Sequence, residues 1–507
     1  MNIITLKKPE IDGRNATFRW SVVPEAGLNV RQHFTLTFPE SPEFPGFPEF
    51  MDLGKVPESL WWRIALICLH SQWPLIRPCR VMLPVRLMPG EAEAWTRLIE
   101  TEIVSLEAHF GSKGMSRRIE IIEDGPELPP ISPIAESESC VMAFSGGKDS
   151  MVQMALLDEI GIRPLLVTIT SHIPWAHDQI TRRRFEVFDE VKRRTGLTLL
   201  EVTSDYRDNF KPHVAPSIGI DVPANPITDT LLYFASLLII GYVLGIPHIV
   251  LASEAEIQNT TLIDGEVVQY PDYMYSVVTQ ASLEAILKPA GIHYTSLISP
   301  LHRYQLQTML WTRYSELADL QYSCYKVKQN QMMCNKCVKC RVLSFRTMAA
   351  GGEASKMGVN WPKLILSMWN WKPKTLKAAE GERLPVDIHF VELDAQIARD
   401  IEQVSWGQMA RTIMRESPLS FLSGRGFLAF LIYPLLRRRA IARNAGKPPG
   451  YKPGYLKFVD PLFRERLGKI FAEIWEPEKL ENYEENIERM DTLINRITEP
   501  LKKHEDA

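Results

Sequence analysis

Two hydrophobic periods alternate along the chain, and their order predicts its architecture. Ala16-Thr-Phe-Arg-Trp-Ser-Val-Val23 and Phe34-Thr-Leu-Thr-Phe38 carry apolar side chains at alternate positions, the pattern of half-buried strands. Helical spacing follows over 57–70 and 90–110, after the turn-rich stretch 39–48. Residues 1–130 thus predict an N-terminal α+β accessory region, ended by a proline-rich break at 126–133. From 136 to 350 short apolar strand-like runs alternate with helical ones, the last of them a longer apolar helix. Strands are expected at 140–144, 165–169, 197–203 and 248–253, and helices at 149–160, 177–194 and 228–244, each helix stopped by a glycine (Gly161, Gly196, Gly245). This alternation predicts an α/β unit with a doubly wound parallel sheet. Residues 351–507 read as a mainly helical C-terminal extension.

Composition changes this picture little. A chain of 507 residues is too long for one ordinary domain, and 58 basic against 61 acidic side chains give no global pull toward nucleic acid or membrane. Charge is segregated locally instead. Residues 411–470 hold thirteen Lys/Arg and three Asp/Glu, and residues 471–507 hold five and eleven. The basic region reads first as a solvated surface packed partly against the acidic tail, with nucleic acid or an acidic protein as alternative partners. The N-terminus lacks the pattern of a secretory signal. The longest apolar stretch, Gly426 to Leu436, falls short of the roughly 20 residues of a spanning helix and contains Pro434. A cytoplasmic protein without a membrane span is expected. Trp61, Trp62, Trp73 and Trp95 are expected in the core rather than stacked on a base.

The chemistry begins where an apolar run meets a Ser/Gly cluster, at Val141-Met-Ala-Phe-Ser-Gly-Gly-Lys-Asp-Ser-Met151. Gly146 and Gly147 let backbone N–H groups approach an anion, while Asp149 and Ser150 are placed to cap a helix whose positive end faces the same space. A nucleotide phosphate is the predicted guest, beyond the carboxyl ends of the strands. The spacing is not that of a Walker A loop. Ser145-Gly-Gly-Lys-Asp-Ser150 resembles instead the SGGxDS loop of the PP-loop ATP pyrophosphatases, the adenine nucleotide alpha-hydrolase superfamily. The resemblance implies that Ser145, Gly146, Gly147, Asp149 and Ser150 grip the β and γ phosphates of ATP, usually with Mg²⁺. Lys148 then adds a cation and Thr168, at the end of the second strand, borders the adenosine. Ser145, Lys148 and Asp149 are the implied catalytic group, transferring AMP to a nucleophile as pyrophosphate leaves.

Seven cysteines include Cys324, Cys334, Cys337 and Cys340 within seventeen residues. In a reducing compartment such clustering reads as metal, and four soft local ligands suit one structural Zn²⁺; free thiols or an iron–sulfur cluster are the competing readings. With Ser323-Cys-Tyr325 and Cys334-Asn-Lys-Cys-Val-Lys-Cys340 following the PP-loop unit, residues 136–350 are similar to the QueC family of 7-cyano-7-deazaguanine synthases. Tyr270-Pro-Asp272 matches a segment of that family's deazapurine pocket, so Tyr270 and Asp272 are the implied substrate-binding residues. Ser299-Pro-Leu301 matches its proline–leucine turn. Three departures stand out. Thr228 replaces an arginine, extra residues separate Glu254 from Tyr270, and Asn335 replaces a glycine of the zinc loop. Glu254, at another strand end, is either a metal or substrate contact or a solvated glutamate.

The resemblance implies activation of 7-carboxy-7-deazaguanine by ATP to an acyl-adenylate, which an amine then attacks. In the synthase the amine is ammonia, and a second activation of the amide yields the nitrile. The long flanks suggest a macromolecular acceptor, and QueC-like proteins with such extensions occur in bacterial antiphage operons. The expected function is therefore a ligase joining the deazaguanine carboxylate to an amine of a partner protein, foremost its N-terminus. Nitrile synthesis, a tRNA-modifying PP-loop enzyme and a non-catalytic nucleotide-binding scaffold are the alternatives.

Overall fold

Aliphatic and β-branched runs supply the strands. The computed structural model describes residues 1–23, 32–39, 51–70, 73–110, 116–171, 178–206, 230–269, 273–322, 324, 332–372, 388–416, 424–443 and 449–505. In chain order the strands are β1 (Asn2–Leu6), β2 (Glu10–Asp12), β3 (Asn15–Val23), β4 (His33–Thr37), β5 (Cys79–Leu83), β6 (Ile119–Glu123) and β7 (Cys140–Ala143). They continue with β8 (Leu165–Ser171), β9 (Leu199–Ser204), β10 (His248–Val250), β11 (Thr260–Ile263), β12 (Glu266–Gln269) and β13 (His293–Thr295). One 11-stranded sheet has the order β13-β10-β7-β8-β9-β4-β3-β1-β5-β6, with β2 paired to β3, and β11 pairs with β12 alone.

The half containing β13, β10, β7, β8 and β9 is parallel throughout. Helices Lys148–Glu159, Asp178–Thr195 and Thr230–Leu244 connect β7 to β8, β8 to β9 and β9 to β10. Gly161, Gly196 and Gly245, which follow these helices, have φ of +81°, +65° and +69°, the left-handed geometry expected of C-terminal stops. From β7 the chain builds outward to β9 and then returns to place β10 on the other flank of β7. The strand order therefore reverses between β7 and β10, and ligands of open α/β sheets bind in such a crevice.

The N-terminal region continues this sheet. β4 pairs antiparallel with β9 through Leu36↔Ser204 and Thr37↔Thr203, and Asp205 accepts the Thr35 N–H at 2.7 Å. Trp61, Trp62, Trp73 and Trp95 are buried, as expected. The C-terminal extension is split between two cores. Ile397, Ile401, Ile413 and Tyr433 pack with Phe345, Trp361 and the cysteine segment, and a buried Arg346–Asp400 ion pair of 2.6 Å ties helix Val338–Ala349 to helix Ile388–Gln403. Farther on, Tyr455, Met490 and Leu493 join the core of the N-terminal half, while Phe463 and Leu467 join the core around the loop.

The acidic tail meets the basic region only in part. Lys457 pairs with Asp491, but Glu499 pairs with Arg97 at 2.8 Å and Arg496 donates to Thr101 at 2.6 Å, both in the N-terminal region. Among the described residues no helix is long and apolar enough to cross a membrane.

Candidate nucleotide loop and metal centre

The loop after β7 turns on Gly146, whose φ is +74°; a Cβ there would lie 3.3 Å from Val187 Cγ1 and 3.4 Å from Phe188 Cε1. Gly147 is the N-cap of helix Lys148–Glu159, and no side chain covers the helix end. The expected capping by Asp149 and Ser150 is thereby corrected, because both lie within the helix. Ser150 Oγ accepts the Ser145 N–H at 3.3 Å and donates to the Gly147 carbonyl at 3.1 Å, while Ser145 Oγ accepts the Gly147 N–H at 3.3 Å. The two hydroxyls hold the loop in shape. A glycine N-cap offers no side-chain acceptor to the positive helix end, an arrangement that suits an anion.

Four charges converge at this crevice. Lys148 is ion-paired with Asp149, and Glu254, just past β10, is ion-paired with Arg303. Burial raises the Asp149 carboxyl, Lys148 opposes the rise and the charge of Glu254 adds to it; 33% of the side chain still faces solvent. Burial alone would raise Glu254 as well, but Arg303 and Lys148 hold it below the usual carboxylate range. At 12% side-chain exposure Glu254 is a buried partner of an arginine, not a solvated glutamate. Behind it, Glu256 accepts the Arg303 backbone N–H at 3.0 Å and faces His302, which also faces Glu478 of the C-terminal extension at 3.7 Å.

Thr168 is fully buried, and its hydroxyl accepts a hydrogen bond of 2.9 Å from Arg184, whose guanidinium lies 5.4 Å from the centre of the Phe188 ring. β8 runs on to Ser171, so Thr168 lies in the middle of the strand rather than at its expected end, and Arg184, which the sequence hides inside an arginine run, is the polar group that meets it there. Arg303 was missed too, although it stands two residues beyond the Ser299-Pro-Leu301 turn. Tyr270, Asp272 and Thr228 lie outside the described residues. After Glu254 comes the β11–β12 hairpin, which turns on Asp264 and Gly265 at φ of +52° and +81°. Asn486 of the tail helix anchors it, accepting the Thr260 N–H at 2.6 Å and hydroxyl at 2.7 Å.

Cys324, Cys334, Cys337 and Cys340 place their sulfurs within 4.8 Å of one another. The Cys334 N–H points to Cys324 Sγ and the Cys337 N–H to Cys334 Sγ, each at 3.4 Å. Hydrogen bonds among the sulfurs, those with Cys324 first, lower the Cys337 thiol and raise that of Cys340. Such N–H···S contacts favour thiolates, and four convergent thiolates can hold a metal ion, in a set compatible with zinc. Asn335 has φ of +57°; its amide donates to the carbonyls of Met333 at 3.1 Å and Gly358 at 3.3 Å and accepts the Asn360 N–H at 2.9 Å. Asparagine tolerates this left-handed geometry. The two sites are joined by Tyr322, which donates its N–H to the Gly146 carbonyl at 2.8 Å and its hydroxyl to the Cys324 carbonyl at 3.0 Å.

Fold and site define an α/β protein with a mostly parallel sheet, a glycine-capped loop where the strand order reverses, and a four-cysteine cluster able to hold a metal. Comparison of the chain with protein-family models, with curated proteins and with solved structures gives no match.

Proposed function

We propose that the chain is a QueC-like PP-loop ATP pyrophosphatase of adenine nucleotide alpha-hydrolase-like fold, acting in bacterial antiphage defence as an ATP-dependent amide ligase. Its small-molecule substrate is 7-carboxy-7-deazaguanine and its acceptor an amine of a partner protein, foremost the N-terminus. The observation that carries the proposal is the Ser145–Ser150 loop, an uncapped helix end at the strand-order reversal with Lys148 and Asp149 at its mouth. The β and γ phosphates of ATP lie against the first-turn N–H groups, Lys148 turns from Asp149 toward them, and Arg184 joins Thr168 beside the nucleoside. Asp149 would hold Mg²⁺, which spreads the charge of the departing pyrophosphate. The four cysteines would hold a structural Zn²⁺.

A carboxylate oxygen of the deazaguanine attacks the α phosphorus and the bond to pyrophosphate breaks. The neutral amine then attacks the acyl carbon, AMP leaves with the acyl C–O electron pair, and the amine proton passes to solvent. The helical extension that shares a core with the cysteines favours a macromolecular acceptor over ammonia. Incubation with ATP, Mg²⁺, the carboxy-deazaguanine and operon-encoded proteins, read by intact mass, tests this. The expected product is one protein heavier by the deazaguanine acyl group. Free nitrile formed with ammonia, and no protein adduct, overturns it.

A further inference from the structure

We infer that the outer face of helix Arg425–Arg443, together with a basic cleft at its head, docks an acidic amphipathic helix of a protein partner. The inner face is already used, since Ala429, Ile432, Tyr433 and Leu436 are buried against the cysteine-bearing core. The outer face is apolar as well. Phe427, Leu428, Leu431 and Leu435 are 52, 48, 52 and 46% exposed, and no charged residue occurs from 426 to 436. A helix that is apolar all round is ordinarily covered all round. Leu428, Leu431 and Leu435 stand at i, i+3 and i+7, the spacing by which a helix presents anchors to another helix.

Charge complementarity identifies the occupant. A cleft of about 350 Å³ is lined by Lys336, Lys363 and Arg425 over an apolar floor of Pro362 and Leu366. None of these three cations has a carboxylate partner among the described residues, whereas Arg346, Arg303 and Arg313 in the same molecule each have one. Arg425 belongs to both the cleft and the helix, so the two features are continuous, and exposed Arg438 closes the far end of the stripe. A stripe of leucines bracketed by cations is complementary to a helix with apolar anchors and glutamates at its ends. Nucleic acid has phosphates for the cations but gains little from exposed leucines, which do not stack on bases. A second copy of this chain sets cation against cation, and a bilayer surface does not fill a concave cleft. Naming the partner as the amine acceptor rests on the proposed ligase; the docking itself does not.

The test uses the full chain and a fluorescein-labelled helical peptide with leucines at i, i+3 and i+7 and glutamates at both ends, followed by anisotropy. Saturable binding is expected to weaken at least about tenfold in Leu431→Ser/Leu435→Ser and in Lys363→Glu/Arg425→Glu, each with an unchanged circular dichroism spectrum. The charge-reversed variant is expected to bind a counterpart peptide carrying lysines for glutamates. Indifference of binding to both double variants overturns the inference. So does a finding that the same substitutions abolish instead sedimentation with phosphatidylserine vesicles, single-stranded RNA binding or self-association in the ultracentrifuge. Carboxylate-dependent pyrophosphate release is expected to survive in both variants. Its absence from the wild-type chain speaks against the ligase and leaves the peptide result standing.

Discussion

At Gly146 one backbone angle holds the loop in place. Its φ of +74° and the close approach of Val187 make Gly146→Ala cost about 1–2 kcal/mol, which urea unfolding should register together with weaker binding of an ATP analogue. A second residue predicts a pH dependence. Hydrogen bonds from Glu284 and Glu136 raise His293 from 6.5 to about 9, against the opposing effect of its partial burial. Because the folded value is the higher one, the stabilisation is complete below pH 6.5 and is lost as pH rises through about 9. His293→Gln should therefore melt well below the wild-type chain at pH 6, with the two curves converging near pH 10; a difference that grows with pH would contradict this. The turn at Gly146 was legible because it is set by chain neighbours. Glu254 was not, because its partner Arg303 lies 49 residues away and no local pattern pairs them.

Among elements, the cysteine segment is a brace as well as a cluster able to hold a metal ion. Tyr322 ties it to Gly146, and helix Val338–Ala349 carries the core on which the C-terminal helices pack. Cys337→Ser is expected to reduce bound metal from one ion per chain toward none by inductively coupled plasma mass spectrometry, to shift the emission of buried Trp361 to the red, and to weaken binding of an ATP analogue. Unchanged metal content would refute the four-sulfur site. The helices flanking β8 were legible to within two residues, since each is a run, too long for a strand, that ends in a glycine. β5 and β6 escaped notice because Cys79-Arg-Val-Met-Leu83 and Ile119-Glu-Ile-Ile-Glu123 are too short for periodicity to separate strand from helix. The capping role read into Asp149 and Ser150 failed for a related reason. Residue type marks a helix start only to within a few positions, and the glycine before them took the cap.

Over the whole molecule, composition marked breaks near 130 and 350, but packing crosses both. The joint between β4 and β9 sets Leu36 beside Ser204, and such a long-range pairing leaves no trace in either strand alone. A fragment of residues 1–130 would present β4 as an open edge and is expected to aggregate rather than unfold cooperatively, as sedimentation and circular dichroism would show. The split of the C-terminal extension was likewise hidden, because its helices look alike in sequence and only their partners differ.

The proposed reaction activates a carboxylate with ATP at the loop where the strand order reverses. Exchange of labelled pyrophosphate into ATP, with and without 7-carboxy-7-deazaguanine, tests it most directly. Carboxylate-dependent exchange in the wild-type chain, lowered about a hundredfold or more by Asp149→Asn, is the predicted result. No exchange in the wild-type chain, or exchange indifferent to Asp149→Asn, would contradict it.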